Sequence, residues 1–114
     1  MSKRVLIVED DVMLAIDLAE QLSDLGYVVI GPCMSSDHAL HVLDEKGCDV
    51  AVLDISLGAE TSEPVALELG KADVPFVVAS GYSIDQWPPV FKGKAAVNKP
   101  YAAKDVAELI EKVA

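Results

Sequence analysis

Asp49-Val50-Ala51-Val52-Leu53-Asp54 is a short unbroken apolar run that begins and ends in a carboxylate. A continuous hydrophobic stretch of this length, without polar alternation, reads as a strand buried on both faces, as strands of parallel sheets are. Three further runs share its character. Arg4-Val5-Leu6-Ile7-Val8 leads into Glu9-Asp10-Asp11, Val74-Pro75-Phe76-Val77-Val78-Ala79 into Ser80, and Ala95-Ala96-Val97-Asn98 into Lys99. Each delivers a reactive group at its carboxyl end. In open α/β sheets, sites form outside the carboxyl ends of the strands, near the point where strand order reverses. Acid, acid, hydroxyl and ammonium at one such edge suit one divalent metal and one phosphoryl group.

Amphipathic segments lie between these runs, the alternation of a parallel sheet covered by helices on both faces. Leu14, Ile16, Leu18, Leu22 and Leu25 recur at roughly helical spacing, and Gly26 is expected to stop that helix. Tyr27-Val28-Val29-Ile30 reads as the second strand, closed by Gly31-Pro32. Ser35 or Ser36 caps a second helix carrying Ala39, Leu40, Val42 and Leu43, which ends before Gly47. A polar loop over 56–63 follows Asp54, and Pro64 opens a third helix over 65–72 from a position the first helical turn tolerates. The last helix spans about 102–113, with Val106, Leu109, Ile110 and Val113 facing inward. Between Gly81 and Gly93 stands Trp87-Pro88-Pro89, where two prolines forbid a regular helix. A short helix with an extended loop is expected there.

At 114 residues the chain is a single domain, and 52% hydrophobic content excludes disorder. A formal charge of −10 argues against nucleic-acid or anionic-membrane partners. Cys33 and Cys48 fit a reducing compartment and lack zinc-ligand spacing. No apolar stretch approaches membrane-spanning length, so the expected location is cytoplasmic.

Mg²⁺ takes oxygen ligands, one or two of them carboxylates. Asp10 and Asp54 supply such carboxylates, Glu9 suits holding a metal-bound water, and the Ser56 backbone carbonyl completes the protein share. Two carboxylates about 4 Å apart repel by roughly 4 kcal/mol at an effective dielectric near 20, so the pocket is expected to tighten around cations. Asp11 is expected to start the first helix instead. His38 and His41 share a helix face without a carboxylate motif beside them, and Ser35-Ser36 and Thr61-Ser62 have no histidine base, so none is assigned chemistry. Trp87 suits either an interaction anchor or a cover over the core.

Val5-Leu6-Ile7-Val8-Glu9-Asp10-Asp11, Val52-Leu53-Asp54, Ser80-Gly81 and Asn98-Lys99-Pro100-Tyr101 resemble, in order and spacing, the signatures of receiver domains of bacterial two-component response regulators. The resemblance covers nearly the whole chain, residues 1–114. It implies a flavodoxin-like, doubly wound five-stranded parallel sheet in order 2-1-3-4-5, phosphorylated on aspartate by a sensor histidine kinase. By the same resemblance Asp54 is the acceptor, Glu9 and Asp10 the acid pair, Ser80 the switch hydroxyl and Lys99 the phosphate-binding lysine. Mg²⁺ is the implied cofactor, with Mn²⁺ able to substitute.

Two departures stand out. Most receivers carry proline four residues after the acceptor, where this chain has Gly58, and an aromatic residue three before the lysine, where it has Ala96. Phe76-Val77-Val78-Ala79-Ser80-Gly81-Tyr82 instead resembles the hallmark of the FAT GUY subfamily. Those are mostly stand-alone receivers with an irregular fourth helix, often paired with sensor kinases of the HWE or HisKA2 type. The expected function is thus a phospho-accepting receiver that signals by protein contact or acts as a phosphate sink. With one helix after Lys99, no output domain is expected; a receiver module of a larger hybrid kinase or regulator is the alternative. A small aspartyl-phosphate phosphohydrolase generally needs a second aspartate two residues beyond the nucleophile, where this chain has Ser56.

Overall fold

The four apolar runs become strands of a parallel sheet, and most of the segments between them fold back as helices. The computed structural model describes residues 2–114. In chain order the elements are β1 (Arg4–Val8), α1 (Val12–Asp24), β2 (Val28–Cys33), α2 (Ser36–Lys46), β3 (Val50–Asp54), β4 (Ser56–Leu57), β5 (Glu60–Thr61), α3 (Glu63–Lys71), β6 (Phe76–Ser80), β7 (Ala96–Asn98) and α4 (Ala103–Val113). The main sheet is five-stranded in order β2-β1-β3-β6-β7, every neighbouring pair parallel. Numbered within that sheet, this is the expected 2-1-3-4-5, the doubly wound flavodoxin-like arrangement.

Successive side chains of a strand point to opposite faces, and the core divides accordingly. Leu6, Val8, Ala51, Leu53 and Val78 pack toward Ala39 of α2 and Val65 and Leu69 of α3. Val5, Ile7, Val50, Val52 and Val77 pack toward Leu18 and Leu22 of α1 and Val106 and Ile110 of α4. Strands covered on both faces need apolar residues at every position, and β3 and β6 are buried throughout.

No fourth helix of regular length covers the segment after β6. Two single-turn 3₁₀ helices, Ile84–Gln86 and Pro89–Phe91, stand there. Phe91 fills the space a longer helix would cover: it is fully buried and meets Phe76 edge-on, ring centroids 6.3 Å apart. Truncating a phenylalanine so placed costs about 3–5 kcal/mol. Trp87 is also buried, its Nε1 donating to the Tyr82 carbonyl at 3.2 Å, so it covers the core and is not an exposed anchor.

Three expectations are corrected. β2 does not stop at Gly31-Pro32 but runs through it to Cys33, with a register shift against β1 between Leu6 and Val8. A Cβ on Gly31 would lie 2.7 Å from the Cys33 backbone nitrogen, so glycine at φ +96° is what permits the irregularity. Pro32 is tolerated because β2 is an edge strand. The loop over 56–63 is not irregular: β4 and β5 pair antiparallel as a small hairpin. On α1 the buried residues are Ala15, Leu18 and Leu22, while Ile16 and, at the C-cap, Leu25 face solvent.

Candidate functional site

Strand register assembles the site. Val8, Leu53, Val78 and Ala96 form one row across four strands, so the next residues of each chain emerge together at the carboxyl edge. Glu9 follows β1, Asp54 ends β3 and Ser80 ends β6, and all three are buried. Lys99 follows β7, with its backbone N–H donating to the Ser80 carbonyl at 3.0 Å. The Lys99 Nζ lies 2.7 Å from Asp54 Oδ2 and 2.7 Å from Glu9 Oε1.

One ammonium for two shielded carboxylates leaves an excess of negative charge. Burial, reinforced by the Asp54 carboxylate and opposed by Lys99, raises the Glu9 carboxyl to about 8. Burial alone would lower the Lys99 ammonium, but its hydrogen bonds to Asp54 and Glu9 outweigh that and hold it above its ordinary value. Tyr101, just beyond, is half-buried; burial and then the nearby carboxylates of Glu9 and Asp54 push its phenol well above the usual range.

Glu9, Asp10 and Asp54 each offer a carboxylate oxygen within 4.8 Å of the other two. Among the described residues, Glu9 Oε2 is the buried side-chain oxygen without a hydrogen-bond partner. An unpartnered carboxyl oxygen beside two more carboxyl groups is a donor set suited to a hard divalent cation, and the cluster is compatible with Mg²⁺. Asp11 stands apart from the cluster, capping α1 by accepting from the Leu14 backbone nitrogen at 3.2 Å. Ser56 comes to the Asp54 side chain through its N–H, 3.3 Å from Oδ1.

The hairpin beyond Asp54 is fastened at both sides. Ser62 is fully buried, and its Oγ donates to the Asp54 backbone carbonyl at 2.6 Å. On the far side, the Ser36 backbone N–H donates to Glu60 Oε1 at 2.7 Å and its Oγ to the Thr61 carbonyl at 2.8 Å. Gly58, at φ +74°, forms the hairpin turn, and a Cβ there would stand 3.6 Å from Asp10 Oδ2. Nothing in a serine within a polar loop announces a contact with a main-chain oxygen eight residues back, and sequence reasoning missed Ser62.

Ser80 Oγ accepts from the Tyr82 backbone nitrogen at 3.0 Å. Ala96 is exposed on β7 and carries no ring. His38 and His41 are exposed on α2, His41 paired with Glu45. Cys33 and Cys48 are buried free thiols. No helix among the described residues is long and apolar enough to cross a membrane.

No family model matches the chain. The transcriptional regulatory protein PdtaR of Mycobacterium tuberculosis (strain ATCC 25618 / H37Rv) is 26% identical over 113 residues, 96% of this chain and 55% of that protein. The chain thus spans about half the length of that curated relative. Among solved structures, SdrG from Sphingomonas melonis Fr1 is 34% identical with a TM-score of 0.84, covering 98% of this chain and 96% of that one. The signal receiver domain of a modulated diguanylate cyclase from Desulfovibrio desulfuricans G20 is 28% identical with a TM-score of 0.83, covering 99% and 94%.

Proposed function

Because this chain belongs to the response regulator receiver domains, the CheY-like modules of two-component systems, we propose that Asp54 accepts a phosphoryl group from a sensor histidine kinase. The observation that carries the assignment is the placement of the Asp54 carboxylate against Lys99 and beside Glu9 at the carboxyl edge of the sheet. Oδ2 is held by the ammonium, whereas the hydrogen bond that Oδ1 accepts from the Ser56 N–H is a long 3.3 Å, which makes Oδ1 the less tightly held oxygen.

In the transfer, an Asp54 carboxylate oxygen attacks phosphorus as the phosphorus–nitrogen bond of the donor phosphohistidine breaks. The electron pair leaves on the imidazole nitrogen. Lys99 changes from carboxylate partner to partner of a phosphoryl oxygen, a role that a compact point charge fills in either state. Glu9, Asp10 and Asp54, with the Ser56 carbonyl, are the groups to hold Mg²⁺ or Mn²⁺, which when bound offsets the charge of the attacking carboxylate and the phosphoryl group. Ser80 turns its hydroxyl to donate to a phosphoryl oxygen, a charge-assisted bond stronger than a neutral one.

The 76–82 stretch and the irregular segment after β6 support membership of the FAT GUY subfamily, and with it a kinase of the HWE or HisKA2 type. The proposed output is protein contact or service as a phosphate sink. A second reading, a receiver module within a longer regulator, is favoured by the 55% coverage of PdtaR. Intact-mass measurement after incubation with Mg²⁺ and acetyl phosphate tests the central claim. A single added phosphoryl group, absent in Asp54→Asn, is expected; labelling that persists in Asp54→Asn would reject it.

A further inference from the structure

We propose that Ser62 is a positioning residue for the acceptor, holding Asp54 from behind through its main chain; this rests on the acceptor reading of Asp54. Ser62 stands at the N-terminus of α3, where a serine ordinarily gives its side chain to a helix amide. Here it makes no such cap. Its hydroxyl is spent on the carbonyl of Asp54 at 2.6 Å, and its N–H on the carbonyl of Ile55 at 2.9 Å. The Ser62 carbonyl accepts from Val65 and Ala66, each at 3.0 Å, so the residue is fixed to α3 on one side and to the acceptor on the other.

These bonds close the chain from Asp54 to Ser62 into a loop whose ends cannot separate. Asp54 is the last residue of β3, and its outgoing carbonyl accepts from the Ser62 hydroxyl. A buried bond to that carbonyl restricts the backbone rotation that aims the side chain. It also sets where the Ser56 backbone begins and where Gly58 passes Asp10. Phosphoryl transfer depends on alignment of the attacking oxygen, and a displacement of about 1 Å can cost up to about a hundredfold.

The experiment compares labelling by acetyl phosphate in the full chain for wild type, Ser62→Ala, Ser62→Thr and Ser36→Ala. Ser36→Ala serves as the structural comparator, since it loosens the same hairpin from α2 without touching Asp54. Ser62→Ala is expected to lose about tenfold in maximal labelling rate, with the donor concentration for half-maximal rate unchanged. Ser62→Thr, which keeps the hydroxyl, should recover most of it. Ser36→Ala should unfold at lower temperature yet label at the wild-type rate. If Ser62→Ala does not fold, Ser62→Cys, a weak donor of similar size, takes its place. A folded Ser62→Ala or Ser62→Cys that labels at the wild-type maximal rate overturns the proposal. So does a Ser36→Ala as slow as Ser62→Ala. Wild-type protein that does not label overturns the acceptor reading itself.

Discussion

The Lys99 ammonium lies 2.7 Å from the Asp54 carboxylate while occupying the same distance from Glu9. Among the described residues it is therefore the only positive group directly paired with either acid. Removing it leaves two carboxylates within 4.8 Å of each other, a repulsion of about 3.5 kcal/mol at an effective dielectric near 20. Uptake of a proton by Glu9 and the partial exposure of Lys99 both reduce that cost. Lys99→Ala is expected to remain folded, destabilised by about 1–3 kcal/mol in EDTA, with part of the loss recovered in Mg²⁺. Denaturant unfolding in the two conditions measures it. The phosphorylated variant should also fail to relay signal; normal relay at full phosphorylation would contradict the role proposed for Lys99.

Asp10 and Asp11 are adjacent in sequence but differ in work. Asp10 belongs to the carboxylate cluster, whereas Asp11 caps α1. Asp10→Asn is expected to weaken Mg²⁺ binding by tenfold or more, about 1.4 kcal/mol or above. Asp11→Asn should change it little, and because asparagine is itself a good N-cap, it should also leave stability nearly unaltered. Calorimetric Mg²⁺ titrations of both variants make the comparison. Equal losses would place the acid pair one residue out of register. Labelling that survives excess EDTA would remove the metal from the reaction altogether.

Glu9 supplies a pH dependence with a defined sign. Its carboxyl is raised from 4.5 to about 8, so between those values the folded chain binds more protons than the unfolded one. The stability this contributes is fully present below about pH 4.5 and is lost as pH rises through about 8. In EDTA, the stability difference between wild type and Glu9→Gln should change across that window and level off beyond it. Binding of a divalent cation competes with the same proton. Mg²⁺ affinity should rise over the window with proton release, and Glu9→Gln should show a flatter profile. Calorimetry in buffers of different ionisation enthalpy reads the proton directly; wild-type affinity that does not vary with pH would refute the coupling.

The meeting of Glu9, Asp54, Ser80 and Lys99 is legible in the sequence because each closes an apolar run, and parallel strands in register bring run ends to one edge. The long helices are legible from their periodicity, although Ile16 and Leu25, two of the apolar residues that mark the first helix, face solvent. Gly31-Pro32 misleads because the pair that ordinarily ends a strand is accommodated here by an edge position and a bulge. The hairpin escapes notice because two-residue strands have no period, and its anchors are a backbone carbonyl and the amide of Ser36. Trp87 is ambiguous until its burial is seen, since composition does not tell a core ring from a docking ring.

The remaining prediction concerns how the phosphorylated state is read. With Ala96 exposed and ringless, rotation of an aromatic side chain behind the switch hydroxyl is not available to this chain. A different path leads away from Ser80. Its Oγ accepts from Tyr82 N–H at 3.0 Å, and the Tyr82 carbonyl in turn accepts from Trp87 Nε1 at 3.2 Å. A Ser80 side chain that rotates to carry its oxygen toward a phosphoryl group stretches the bond from the Tyr82 N–H, and the buried indole feels the displacement at its own bond. The segment over 81–93 holds only two single 3₁₀ turns, and backbone so sparsely bonded redistributes its conformers at low cost. Phosphorylation is therefore expected to alter hydrogen exchange over 81–93 and the fluorescence of Trp87, the single tryptophan of the chain. Ser80→Ala should take up the phosphoryl group yet lose both responses. Exchange that changes only over 56–63, with Trp87 silent, would move the output from this segment to the hairpin and α2.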